Sequence, residues 1–176
     1  MKVALAALIS KAKQLESLAM EIYVKLANRF PDPPELARFW LTMARHEAGH
    51  VGALEMLGVL LEQSDQSPVV SKVSDLGTEE ELVAGLRREC EGDLSLDRAF
   101  SIAVELESAE LEDLMLELVQ CLTDSTQREQ AENMLVHDLS DLSLMIEKYS
   151  GDEALLERVD ALVERHVQRR EQRRQH

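Results

Sequence analysis

Glu47-Ala-Gly-His50 lies at the centre of the stretch FWLTMARHEAGHVGAL, residues 39–54, whose apolar residues Phe39, Met43, Ala44, Val51 and Leu54 recur at three- and four-residue steps. That period draws one face of a helix, and Glu47 and His50 fall on it. An acid and an imidazole aimed into an apolar seam cost several kcal/mol, by order of magnitude, if they are left unpaired. A Glu-x-x-His pair, one turn apart and pointing inward, is the unit with which four-helix bundles build carboxylate-bridged dimetal sites. Metal binding is the chemistry this stretch offers.

An internal repeat adds further acids. Leu15-Glu16-Ser17 matches Leu106-Glu107-Ser108, and Arg45-His46-Glu47-x-x-His50 matches Val136-His137-Asp138-x-x-Asp141, both at an offset of 91 residues. Two variants of one helical hairpin are indicated. Glu16 precedes Glu47 by 31 residues and Glu107 precedes Asp138 by 31, so each pair straddles its turn nearly symmetrically. In an antiparallel hairpin both acids then stand at one height, roughly 22 Å from the turn at 1.5 Å per residue. Glu107 sits among Phe100, Ala103, Leu111 and Leu114, and Asp138 among Ala131, Met134, Leu135, Leu142 and Met145. One acid in such a stripe is ordinarily an edge residue reaching water. Four acids at matched heights beside His50 would repel one another, and would protonate or unfold the bundle without a cation.

The elements that must position these residues read as helices. Helix 1 is expected from about Lys2 to Phe30, with Leu5, Leu8, Ala12, Ala19, Tyr23, Leu26 and Phe30 on the face that also carries Glu16, and with Glu21 turned toward water. Pro31-Asp32-Pro33-Pro34 stops it and starts helix 2, which continues to about Gln63. Residues 64–78 read as a connection, followed by a short helix for which Thr78-x-x-Glu81 offers a capping box. A passage of this length can run the length of a bundle, so residues 64–94 are expected to form a long crossover from helix 2 to helix 3. Helix 3 is expected from Ser95 to about Leu122, and helix 4 from a cap at Thr126 and Glu129 to about Tyr149. A fifth, amphipathic helix, DEALLERVDALVERHV, carries Leu155, Leu156, Val159, Leu162 and Val163 on one side and would pack on the bundle or on a second copy. The division is thus a four-helix domain over 1–150 and a C-terminal helix with a basic tail over 151–176.

Composition agrees with an all-α protein. Hydrophobic residues make up 45% of the 176, enough for a core, while aromatics reach only 3% and the helix formers Leu, Ala, Glu and Met dominate. The net charge of -15 disfavours binding along a nucleic-acid backbone and suits a chain that gathers cations. RHVQRREQRRQH at the end reverses the sign locally; it reads as a solvated helix end or as a contact for an acidic partner. Cys90 and Cys121 form no CxxC motif, so neither a disulfide framework nor a zinc ribbon is indicated. The opening MKVALAALISKAK is too short an apolar run for a membrane span and reads as the first turns of a core helix; a cytoplasmic chain with no membrane partner is expected.

From Leu5 to Tyr149 the arrangement resembles the rubrerythrin family of ferritin-like proteins. The points of contact are Glu16 with Tyr23 seven residues later, Glu47-x-x-His50 on helix 2, AFSIAVELE leading to Glu107 on helix 3, and Glu110 one turn on. The resemblance implies a ferritin-like four-helix bundle holding two metal ions, iron or alternatively manganese, through Glu16, Glu47, His50, Glu107, Glu110, Asp138 and Asp141. It also implies Tyr23 as a hydrogen-bond partner of the ligands. Glu110 reads equally as an acid on an outer face, and Tyr23 as an ordinary core tyrosine. The chain departs from the family on helix 4, where Asp138-Leu-Ser-Asp141 stands in place of Glu-x-x-His and makes that half-site oxygen-rich. It also has no rubredoxin-type iron site, since two cysteines cannot supply four ligands. His46, His137 and His166 read as helix-flank residues, and Met43, Met115, Met134 and Met145 as core filler.

Three functions follow as expectations. A di-iron oxidoreductase would reduce hydrogen peroxide or activate dioxygen, drawing on an external electron donor, and a homodimer is expected. A metal-binding or iron-handling protein would keep the cage without turnover. A scaffold alone would act as an interaction module through its fifth helix.

Overall fold

The computed structural model describes residues 2–63, 76–109, 118–120, 122, 124–135 and 139–174. The described residues are helical, with no strand among them: α1 Lys2–Arg29, α2 Pro34–Gln63, α3 Gly77–Glu89, α4 Leu96–Glu107, α5 Ser125–Leu135, α6 Ser140–Tyr149 and α7 Glu153–Arg174. Among them no helix is long and apolar enough to cross a membrane.

The α1/α2 hairpin follows its sequence pattern closely. Ala12, Ala19, Tyr23 and Leu26 are buried on α1, as are Phe39, Met43, Ala44 and Leu54 on α2, while Val51 is half-buried. Pro34 occupies the first helical position of α2, where a missing N–H costs nothing, and Glu35 sits in the first turn. The two helices run antiparallel in a fixed register. Gly58 lies beside Ile9, Lys13 pairs with Glu55, and Glu16 reaches His50. Glu21 is exposed and pairs with Arg87 of α3, which packs along α1.

Several helix boundaries differ from expectation. α3 begins at Gly77 behind the buried Leu76, with no side-chain cap, so Thr78 falls inside the helix and the anticipated capping box does not define its start. Ser95 does cap α4, its Oγ accepting from Arg98 N at 3.2 Å. α4 then ends at Glu107 instead of continuing to Leu122. Ser108 Oγ donates to the Val104 carbonyl at 2.6 Å, and Ser108 and Ala109 form a turn. The cap before α5 is Asp124, whose Oδ1 accepts from Gln127 N at 2.9 Å, rather than Thr126. The described residues of the expected helix 4 fall in α5 and α6. Leu139, buried at φ -84° and ψ 0°, turns the chain before α6.

α5 packs on α2, α6 on α4, and α7 on both α4 and α6. Asp152 Oδ1 accepts from Leu155 N to start α7, whose Leu155, Val159 and Leu162 are buried. The fifth helix thus covers its own chain. Where the hairpin meets α4, Phe39, Trp40 and Phe100 form a tilted aromatic group, with Tyr23 stacked on Trp40 at 6.3 Å.

Candidate metal centre

Three polar side chains are sealed inside the α1/α2 hairpin. Glu16 is 3% exposed, and Glu47 and His50 are each 4% exposed. Glu16 comes from the stripe that also carries Ala12, Ala19 and Tyr23. Glu47 and His50 stand one turn apart on the buried face of α2, so the antiparallel register closes all three around one point.

The donor atoms converge. His50 Nδ1 donates to Glu47 Oε2 at 3.2 Å and to Glu16 Oε2 at 3.3 Å. One ligand atom from each residue lies within 4.8 Å of the others. Ligand atoms around a single ion with bonds of 2.0–2.2 Å are separated by about 3.0–3.5 Å along the edges of the coordination shell. The spacing of the imidazole and carboxylate atoms therefore fits one cation, and two carboxylate oxygens with one imidazole form a donor set suited to first-row transition ions.

Electrostatics make the same demand. Burial, and then the Glu16 carboxyl alongside, hold Glu47 well above the usual carboxylate range, with His50 pulling the other way. Burial works against a charged His50, but hydrogen bonds to Glu16 and Glu47 outweigh it and push the imidazole up to about 11. Without an ion, protons at Glu47 and His50 supply the positive charge that the cluster lacks.

Tyr23 ties a third acid to the group. Fully buried on α1, its hydroxyl donates to Glu107 Oε1 at 2.6 Å, across to the end of α4. Burial, followed by the charges of Glu107 and Glu47, raises the phenol well above its ordinary value, so it stays a donor at neutral pH.

The structure thus brings together Glu16, Glu47 and His50, with Tyr23 and Glu107 at their side. Glu110 and Asp138 lie outside the described residues, as does His137. Asp141 is not brought to this group: it stands exposed in the first turn of α6, lining a surface hollow with Arg38 and Thr42. Met43 and Met145 are buried core residues, as expected. Sequence reasoning passed over Trp40, the chain's single tryptophan, which is fully buried between Phe39 and Phe100 and stacks on Tyr23. Its rarity in a chain poor in aromatics was the available signal.

No protein-family model, curated protein or solved structure matches this chain.

Proposed function

We propose that this chain is a metal-carboxylate protein of ferritin-like, rubrerythrin-like type, whose α1/α2 hairpin holds a divalent first-row transition ion through Glu16, Glu47 and His50. One observation carries the reading: two carboxyls and an imidazole, almost wholly excluded from solvent, point their donor atoms at one another. Glu16 and Glu47 neutralise the ion, and His50 anchors it through Nδ1. Tyr23 fixes one oxygen of Glu107 and so orients that carboxyl at the border of the group, where a second ion would need it. Bound iron or manganese would supply redox chemistry toward hydrogen peroxide or dioxygen, with electrons from an external donor. The aromatic wall of Tyr23, Trp40, Phe39 and Phe100 keeps bulk water from the α4 side of the hairpin.

A second reading, a protein that holds a single ion without turnover, draws support from the position of Asp141, exposed and away from the buried group. Elemental analysis of protein purified without chelators tests the proposal, with one ion or two per chain expected. Metal-free protein that also fails to take up iron(II) or manganese(II) under anaerobic titration would sink it. Peroxide consumption by the loaded, reduced protein separates the oxidoreductase from the holding protein.

A further inference from the structure

The hollow that Asp141 lines is bounded by two helices, each turning one face to it. α2 contributes Glu35, Arg38, Phe39 and Thr42, and α6 contributes Asp141, Leu144, Met145 and Lys148. Both sets follow the i, i+3, i+4, i+7 steps of a single helix face. Seven steps of 1.5 Å make either wall about 10 Å long. The space holds about 650 Å³, inside the roughly 300–1,000 Å³ of small-molecule sites.

Its floor is apolar and its walls differ in charge. Phe39 and Met145 are buried, while Leu144, at 59%, is the most exposed large hydrophobic among the described residues. Lys148 Nζ donates to Glu35 Oε2 at 2.6 Å and Tyr149 Oη donates to the same oxygen at 3.0 Å, so these two charges cancel. That leaves Arg38 on the α2 wall and Asp141 and Glu147 on the α6 wall. All three are exposed, and among the described residues no side-chain hydrogen bond or ion pair engages them. A cation alone would meet the guanidinium there, and an anion alone would meet two carboxylates. A molecule carrying both charges suits both walls.

We infer that this hollow binds a short apolar peptide by its two free ends. This inference stands apart from the metal site. The peptide carboxylate faces Arg38, whose guanidinium can take it through two parallel hydrogen bonds, with the Thr42 hydroxyl as a further donor. The peptide ammonium faces Asp141 and Glu147. Its apolar body rests on Phe39, Leu144 and Met145 and covers the leucine that otherwise stands open to water. Three extended residues reach about 10 Å at 3.3–3.6 Å each, the length of either wall. A single amino acid would leave much of the space to water.

Calorimetric titration of the metal-free full chain with the tripeptide Leu-Ala-Leu at about 0.1 M salt tests this, and its outcome does not depend on a bound ion. A dissociation constant of about 1 mM or tighter is expected. Acetylating the amino end or amidating the carboxyl end should each weaken binding about fivefold or more. Arg38→Gln should weaken the free peptide as much and no longer distinguish it from the amidated form. Asp141→Asn combined with Glu147→Gln should no longer distinguish it from the acetylated form. Leu144→Ser should weaken every form. All four positions are exposed, so the melting temperatures of the variants should stay within about 2 °C of the unaltered chain. Absence of saturation at about 10 mM peptide overturns the inference. A peptide blocked at both ends that binds as well as the free one also overturns it, and would assign the hollow to apolar contact alone. Affinity that the wall variants leave intact does the same, by placing the peptide elsewhere.

Discussion

The two halves of the internal repeat have gone different ways. In the first, α1 and α2 run unbroken for 28 and 30 residues and close Glu16, Glu47 and His50 in their seam. In the second, the described helices are short: α4 has 12 residues, α5 has 11 and α6 has 10. Glu107, the counterpart of Glu16, is only part-buried and takes a hydrogen bond from Tyr23 of the other half, while Asp141, the counterpart of His50, is exposed. A shared residue pattern places side chains at one height only while the helices carrying them stay continuous. Among the described residues, the first half keeps that continuity and its polar residues meet, while Asp141 of the second stands at the surface.

The contrast can be broken most directly at the ligands. Glu47→Gln or His50→Ala should weaken binding of the first ion by about 100-fold or more in a competition titration, whereas Asp141→Asn should leave it within about twofold. An equal loss from Asp141→Asn would restore symmetry between the halves and refute the assignment.

Core truncation should separate the halves next. Leu54→Ala, in the fully buried seam of the hairpin, is expected to cost about 2–5 kcal/mol in denaturant unfolding. Tyr23→Phe removes the hydrogen bond that joins α1 to Glu107 at the end of α4 and should cost about 1–3 kcal/mol, since the acceptor is a part-buried carboxylate. A neutral result there would mean that Glu107 has no stake in the hairpin.

pH offers a third handle. The folded values of Glu47 and His50 both lie above their unfolded ones. The folded chain therefore holds more protons than the unfolded chain, and the stability of metal-free protein falls as pH rises from the carboxylate range upward. The His50 share is present below 6.5 and is lost toward about 11. Metal should displace one proton from Glu47 and one from His50, so binding near neutrality releases about two protons and tightens with pH. Calorimetry in buffers of different ionisation enthalpy counts them. A melting temperature of chelated protein that climbs between about pH 5 and pH 9 would contradict this.

The smallest effects sharpen the backbone argument. Gly85→Ala, where an added Cβ meets nothing within 4 Å, should stabilise α3 by about 0.5–1 kcal/mol. Gly58→Ala should do as much for α2, its new methyl resting 3.8 Å from Ile9 Cγ2.

Residue spacing alone was enough to find the hairpin and its three polar residues, because Ala12, Glu16, Ala19 and Tyr23 on α1 and Met43, Glu47, His50 and Leu54 on α2 share unbroken helical periods. The exposure of Asp141 was not foreseeable that way. Its apolar neighbours Leu142 and Met145 keep the period and are buried, yet Asp141, about 100° round the helix from Leu142, stands at the surface. The end of α4 at Glu107 was not legible either, because a serine that bonds back to the carbonyl one turn earlier occurs both there, at Ser108, and inside the unbroken α1, at Ser17.

All three proposed ligands fall between residues 16 and 50, and the hairpin that carries them is complete by residue 63. A ribosome delivers the chain from its amino end at about 5–20 residues per second, so the donor set emerges several seconds before α7 is translated. Ion capture can then accompany translation, with the later helices closing over a hairpin that already carries its metal.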